Sequence, residues 1–275
     1  MNINIASWNI NSIRARENSL QKWIVESNPD IIGLQETKVI DDQFPVEIFY
    51  DNGYDVRFFG QKSYNGVCLA FRRSGLIKCE QVVRNIPFWE DEQARVITCC
   101  LMINDLHRIN FISVYVPNGS SLEDPKFKYK LLFLKKLTGY VEQLLRENDS
   151  LCLMGDFNIA PTDLDVFDPD LWREKILCSS IERKQFSELE DLFLADSFRL
   201  KNKTPNQYSW WDYRQGSFRK NEGLRIDHIL LSKPLVSVCS DVGISTDVRK
   251  HEKPSDHAPV WVNLDFNIQN GKSRS

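Results

Sequence analysis

Five short polar signals lie at or near the ends of apolar runs, and their residue types suit a hard cation and an activated water. Asn9 follows the first apolar stretch, and Glu36 follows Ile31-Ile32-Gly33-Leu34 within Leu34-Gln35-Glu36-Thr37-Lys38. Asp156 and Asn158 close Leu151-Cys152-Leu153-Met154-Gly155-Asp156-Phe157-Asn158. Asp227 stands in Arg225-Ile226-Asp227-His228-Ile229, and Ser255-Asp256-His257-Ala258-Pro259 comes near the end. Strand ends gather at one rim of a sheet, so these distant groups can meet. Carboxylate and amide oxygens suit Mg²⁺ or Mn²⁺, and no Cys/His cluster has the spacing of a zinc site.

Each group has a chemistry and a plainer alternative. Asp156 can accept a proton from water, while Asn158 offers donors that could steady an oxyanion or hold the water. An Asx-type turn uses the same two residue types. His257 with an acidic partner, for which Asp227 is the candidate, would stay cationic beside a phosphate. A core histidine satisfied by backbone is its alternative. Tyr115-Val116-Pro117-Asn118-Gly119 could aim a hydroxyl at a scissile phosphate and an amide at its neighbour, or be an ordinary Pro-Asn-Gly turn. Residues 199–225 hold Arg199, Lys201, Lys203, Arg214, Arg219, Lys220 and Arg225 among Tyr208, Trp210, Trp211 and Tyr213. Basic side chains screen phosphates and aromatics stack on sugar or base, so the cluster suggests a nucleic acid.

The elements that must position these groups alternate. Residues 2–8, 31–35, 64–72 and 151–155 read as strands, and 94–103 with 109–116 as a pair joined by a polar turn at Asn104-Asp105. Residues 13–27 carry Leu20, Trp23 and Ile24 at helical spacing. Asp124-Pro125 reads as the cap and first residue of a helix carrying Leu131, Leu134, Leu137, Val141 and Leu145. Ser179-x-x-Glu182 reads as a capping box before Phe186, Leu189 and Phe193. Residues 224–231 and 258–266 are the last predicted strands. The signature residues span both halves with no linker between them. One α/β domain over 1–267, with mixed sheets and a polar tail at 268–275, is expected.

Composition narrows the setting. The net charge of −3, from 35 basic and 38 acidic residues, leaves room only for a local basic face. Seven cysteines without CxxC spacing suggest buried thiols in a reducing compartment. No stretch approaches the ~18 apolar residues of a membrane span, and Met1-Asn2-Ile3-Asn4 begins no basic or long apolar segment, so no signal peptide is expected. A cytoplasmic protein without membrane contact is expected.

Trp8-Asn9-Ile10-Asn11-Ser12-Ile13-Arg14-Ala15, Leu34-Gln35-Glu36-Thr37-Lys38, Tyr64-Asn65-Gly66-Val67, Gly155-Asp156-Phe157-Asn158, Arg225-Ile226-Asp227-His228 and Ser255-Asp256-His257-Ala258-Pro259 together resemble the exonuclease III family of apurinic/apyrimidinic (AP) endonucleases. The resemblance runs from Trp8 to about Val262. It implies a four-layer α/β sandwich, with two mixed β-sheets packed face to face and helices outside, like deoxyribonuclease I. It implies Mg²⁺-dependent cleavage of double-stranded DNA 5′ to abasic sites and trimming of blocked 3′ ends. Mn²⁺ is expected to substitute, and a monomer is expected. Glu36 would be the principal metal ligand, with Asn9 and Asp256 completing or supporting the set. Asp156 would orient or deprotonate the water, Asn158 would position it, and His257, paired to Asp227, would contact the phosphate. Tyr115 and Asn118 match a phosphate-contacting loop. Trp210 and Leu224 fall where the family lines its abasic-sugar pocket, and Arg214 where relatives place a residue that wedges into the duplex. A phosphatase of inositol phosphates or a sphingomyelinase could share Asn9, Glu36, Asp156, Asn158 and His257 but would not need the loop 199–225.

Overall fold

The computed structural model describes residues 1–267. The predicted tail 268–275 lies outside them. Among the described residues twelve strands form two sheets. In chain order they are β1 (Asn2–Asn9), β2 (Ile31–Gln35), β3 (Tyr54–Phe59), β4 (Val67–Arg72), β5 (Ile77–Arg84), β6 (Val96–Ile103), β7 (His107–Tyr115), β8 (Leu151–Asp156), β9 (Leu194–Asp196), β10 (Asp227–Ser232), β11 (Cys239–Ile244) and β12 (Val260–Asp265). One sheet runs β11-β12-β1-β2-β4-β3 and the other β5-β6-β7-β8-β10-β9. Each is mixed: β1–β2 and β7–β8 are parallel and the remaining pairs antiparallel. A parallel pair needs a crossover, and the helices Glu17–Ser27 and Pro125–Glu147 supply the two.

The sheets meet through their inner faces. Ile3, Ile5, Ile31, Leu69 and Phe71 pack against Cys99, Phe111, Cys152, Met154 and Ile229. Leu20, Trp23 and Ile24 cover the outer face of the first sheet over Ala6, Trp8 and Ile32. Phe133, Leu137, Phe186 and Leu189 cover the second. This is the four-layer sandwich that the resemblance implies. Local signals agree with it. Asp124 caps its helix by accepting from the Lys126 N–H at 2.8 Å, and the Ser179–Glu182 capping box forms.

The strands the sequence did not announce are β3, β5, β9 and β11. They are the four sheet edges. An edge strand buries little, so its apolar pattern is weak. In β5, for example, Lys78, Glu80, Gln81, Val82 and Arg84 are exposed.

The inner faces change character toward one rim. Residues of one face recur every second position in a strand. Along β1 they run Ile3, Ile5, Ser7, Asn9; along β7 Phe111, Ser113, Tyr115; along β8 Cys152, Met154, Asp156; and back along β10 Leu231, Ile229, Asp227. The Gln35 amide donates to the Ser7 and Ser113 hydroxyls, both at 3.0 Å, and so closes the apolar core with a satisfied polar layer. Beyond that layer lies the candidate site. Gly155 makes the last step of β8 feasible, since its φ is +153° and an added Cβ would lie 1.9 Å from the Val114 carbonyl oxygen. Gly155→Ala is therefore expected to destabilise the protein by about 3 kcal/mol or more, read as a lower urea midpoint with an unchanged slope. An unshifted midpoint would refute that assignment. Among the described residues no helix is long and apolar enough to cross a membrane.

Candidate active site

Backbone in the left-handed region turns the strand ends into the rim. Asn11 (φ 48°), Ser12 (86°), Glu36 (51°), Lys38 (54°) and Asn158 (50°) all adopt it. Such conformers cost energy for residues other than glycine and persist where neighbours fix them. Here the Ser12 N–H donates to the Glu36 carbonyl at 2.7 Å and the Lys38 N–H to the Asn65 carbonyl at 2.9 Å.

The side chains then interlock. The Asn9 amide donates to Glu36 Oε1 at 2.9 Å and to Asp156 Oδ2 at 2.8 Å. Asp156 Oδ1 accepts from the Asn158 N–H at 2.8 Å. Opposite it across the β8–β10 pair stands Asp227, whose Oδ2 lies 2.9 Å from His257 Nδ1 and accepts from the Ser209 hydroxyl at 2.6 Å. His257 Nε2 faces Asp156 Oδ2 at 3.8 Å. The Asp256-His257 turn is tied to β1, because the Ser255 hydroxyl donates to the Asn9 carbonyl at 2.7 Å and Trp8 Nε1 to the His257 carbonyl at 3.1 Å.

Electrostatics assign protonation states. Burial pushes the Asp156 carboxyl up to about 7 against the pull of the His257 charge. Burial would lower the His257 imidazole, but the carboxylates of Asp227 and Asp156 outweigh it and lift it to about 10. Burial, joined by the charges of Glu36 and Asp156, holds the Tyr115 hydroxyl well above its ordinary value, so it is a neutral donor. Burial would raise Asp256, yet His257, Asn11 and Trp210 hold it below the usual carboxylate range.

Glu36, Asp156 and His257 offer donor atoms within 4.8 Å of one another. A protonated imidazole has no lone pair to give, so the oxygens remain, a donor set that fits a hard divalent cation. Two members of the predicted metal set are placed differently. The amide nitrogen of Asn9 faces the carboxylates, while its Oδ1 accepts from the Asn11 N–H at 3.0 Å. Asp256 lies outside the group of three, held by the Asn11 amide at 2.8 Å and Trp210 Nε1 at 3.0 Å. Glu36 faces both ways: Lys38 Nζ lies 2.7 Å from its Oε2 and donates to Asn11 Oδ1 at 2.6 Å. Asn11 and Lys38 are members of this rim that the residue reading passed over. Asn11 was signalled by lying one strand repeat beyond Asn9.

The remaining predicted residues flank this centre. The exposed Asn118 donates to Asn158 Oδ1 at 3.1 Å. Leu224 is fully buried with Val166, Leu177 and Ile226, and the half-buried Trp172, Ile176 and Trp210 pack against that cluster. Any surface offered to a sugar here is thus Trp210 rather than Leu224. Arg214 is exposed on the turn after Asp212. The loop 199–225 is only partly an outward face. Tyr208 and Trp211 are buried, and Arg199 and Arg225 pair internally with Asp165, because the loop must anchor itself to the core.

A sandwich of two mixed sheets whose rim joins carboxylates, amides and a cationic imidazole defines a phosphoester hydrolase. The chain belongs to the Endonuclease/Exonuclease/phosphatase family, whose sequence model matches residues 6–257. It is 42% identical over 265 residues to exodeoxyribonuclease III of Haemophilus influenzae, covering 93% of this chain and 97% of that protein. Its structure is similar to that of a 3′ phosphatase, NExo, from Neisseria bound to product DNA hairpin (TM-score 0.90, 40% identity, 96% of this chain and 100% of that one). It is also similar to an AP endonuclease from Archaeoglobus fulgidus (TM-score 0.89, 32% identity, 96% and 100%). The protein is a nuclease of the exodeoxyribonuclease III and AP endonuclease type.

Proposed function

We propose that this protein is a DNA repair nuclease that hydrolyses the phosphodiester 5′ to abasic sites in double-stranded DNA and trims blocked 3′ ends. The observation that supports it most is the convergence of Glu36, Asp156 and the Asp227-paired His257 at one rim. Glu36 would hold a divalent cation, Mg²⁺ with Mn²⁺ as substitute, and the anionic Asp256 would support it through the Asn11 amide. That ion supplies neutralisation of charge on a non-bridging phosphate oxygen. The chain does the rest. Asp156, with a pKa near working pH, takes the proton of the attacking water. The Asn158 amide holds that water, and Asn118 binds the neighbouring phosphate. His257, kept cationic by Asp227, and the neutral Tyr115 hydroxyl donate to the phosphate oxygens. Trp210 offers apolar surface to a flipped-out abasic sugar, and a sugar without a base costs less to unstack. Arg214 contacts the duplex beside it. All seven cysteines are free thiols, which accords with a reducing cytoplasm, where the protein would work as a monomer.

A 5′-labelled abasic duplex beside an intact one tests this reading. Cleavage next to the abasic site is expected with Mg²⁺, none after thorough chelation with EDTA, and full recovery on adding Mg²⁺ back. Unchanged turnover in EDTA would remove the cation from the mechanism. No product from the abasic duplex would remove the substrate assignment.

A further inference from the structure

The helix Pro125–Glu147 buries Phe127, Leu134, Leu137 and Val141, and Lys130 stands in that apolar stripe with no accessible surface. A buried ammonium is costly unless its protons are all satisfied. The Lys130 ammonium donates to the Asn158 carbonyl at 2.7 Å, to the Asn118 carbonyl at 3.1 Å and to Glu182 Oε1. Glu182 is equally buried and serves a local purpose too. Its Oε2 accepts from the Ser179 N–H at 3.1 Å and the Ser179 hydroxyl at 2.6 Å, and its Oε1 from the Leu177 N–H at 3.1 Å. The two halves of this ion pair therefore face different clients. Glu182 finishes a helix start, whereas Lys130 fastens the loops that leave β7 and β8.

Those two loops carry Asn118 and Asn158, whose side chains meet at 3.1 Å. Asn158 holds a left-handed backbone, which needs external fixing. We propose that Lys130 is a positioning residue for phosphodiester hydrolysis, its ammonium clamping both loop carbonyls so that the Asn158 amide holds the attacking water while the Asn118 amide holds the neighbouring phosphate. This inference rests on the roles given above to Asn118 and Asn158. A merely structural ion pair would act through stability alone. A clamp acts on the rate through the carbonyl bonds and survives changes on the Glu182 side.

Lys130→Met and Glu182→Gln separate the two. Both should lower the melting temperature. At a temperature well below both transitions, Lys130→Met is expected to lower kcat on the abasic duplex by about 10²-fold, the scale of a misplaced catalytic group, with a smaller change in KM. Glu182→Gln leaves Lys130 on its carbonyls and should stay within about threefold of wild type. Lys130→Met/Glu182→Gln, a neutral pair whose glutamine still accepts at the helix start, should regain melting temperature without regaining kcat, and it carries the test if Lys130→Met fails to fold. The inference is overturned if kcat tracks melting temperature across the series, or if the neutral pair cleaves like wild type. Asn158→Ala in the same assay tells the two failures apart. Wild-type rates there would bring down the role of Asn158 and the clamp with it. A loss there, with active Lys130 variants, would bring down the clamp alone.

Discussion

Asp156→Asn is expected to slow single-turnover cleavage of an abasic duplex by about 10²–10⁴-fold while leaving the protein at least as stable as wild type. The rate falls because an amide cannot take the water's proton. It also falls because one end of the new side chain becomes a donor facing donors: Asp156 Oδ2 accepts from the Asn9 and Asn158 amides, and Oδ1 from the Asn158 N–H. Stability moves the other way, because one mispaired amide end costs about 1–3 kcal/mol, less than the charge penalty it removes. The folded pKa of Asp156, about 7, lies above the ordinary ~3.9 of an aspartate. A group that binds its proton more readily when folded penalises the native state above that folded pKa, and the penalty fades as pH falls toward the unfolded value. Removing the ionisable group removes the penalty at neutral pH. Paired measurement of rate and urea midpoint decides the matter. If both fell together, Asp156 would be a structural carboxylate, and the assignment of the base would fail.

The same division between function and stability explains what could be read without coordinates. The groups proposed for catalysis were legible because they interrupt apolar strands: Asp156 after Leu151–Gly155, Glu36 after Ile31–Gln35. A carboxylate ending a buried run has no packing reason to be there. The central strands and the long helices were legible by periodicity and by caps such as Asp124-Pro125 and Ser179-x-x-Glu182. The sheet edges were not, since β3, β5, β9 and β11 are short or half solvated and carry little pattern. Side-chain orientation was also beyond sequence. Whether Asn9 turns its oxygen or its nitrogen to Glu36 depends on the turn at Asn11, and whether the basic residues of 199–225 face DNA depends on buried acids far away in the chain. Lys130 did leave a signal: a lysine three residues after Phe127 and four before Leu134 interrupts a helical apolar stripe.

Those buried acids give the second large effect. Arg225→Met is expected to destabilise the protein by about 3–5 kcal/mol at pH 8, because it leaves carboxylates buried without their cation. Arg225 is 1% exposed and donates to Asp165 Oδ1 at 2.7 Å and Asp196 Oδ2 at 2.6 Å. Asp165 keeps Arg199 as a partner; Asp196 keeps the Phe198 and Arg199 N–H groups on Oδ1 but loses its cation. The third contact makes the loss pH-dependent. Arg225 Nη1 lies 2.9 Å from His228 Nδ1, and guanidinium only donates, so Nδ1 accepts and Nε2 donates to the Ile159 carbonyl at 2.9 Å. Burial first, and the guanidinium second, lower the His228 pKa to about 4. In the wild type that depressed value favours the native state above the unfolded pKa of ~6.5, and the contribution, about 3 kcal/mol, is lost as pH falls from ~6.5 to ~4. In the variant the guanidinium is gone, while Asp196 Oδ2 remains 3.8 Å from Nδ1. The imidazole can then take a proton and become the missing cation. The destabilisation should accordingly shrink by about 2 kcal/mol between pH 8 and pH 5, measured as the difference in urea unfolding free energy between variant and wild type. A cost that stayed constant or grew on acidification would show that His228 is not poised against Arg225, and the network behind β10 would have to be redrawn.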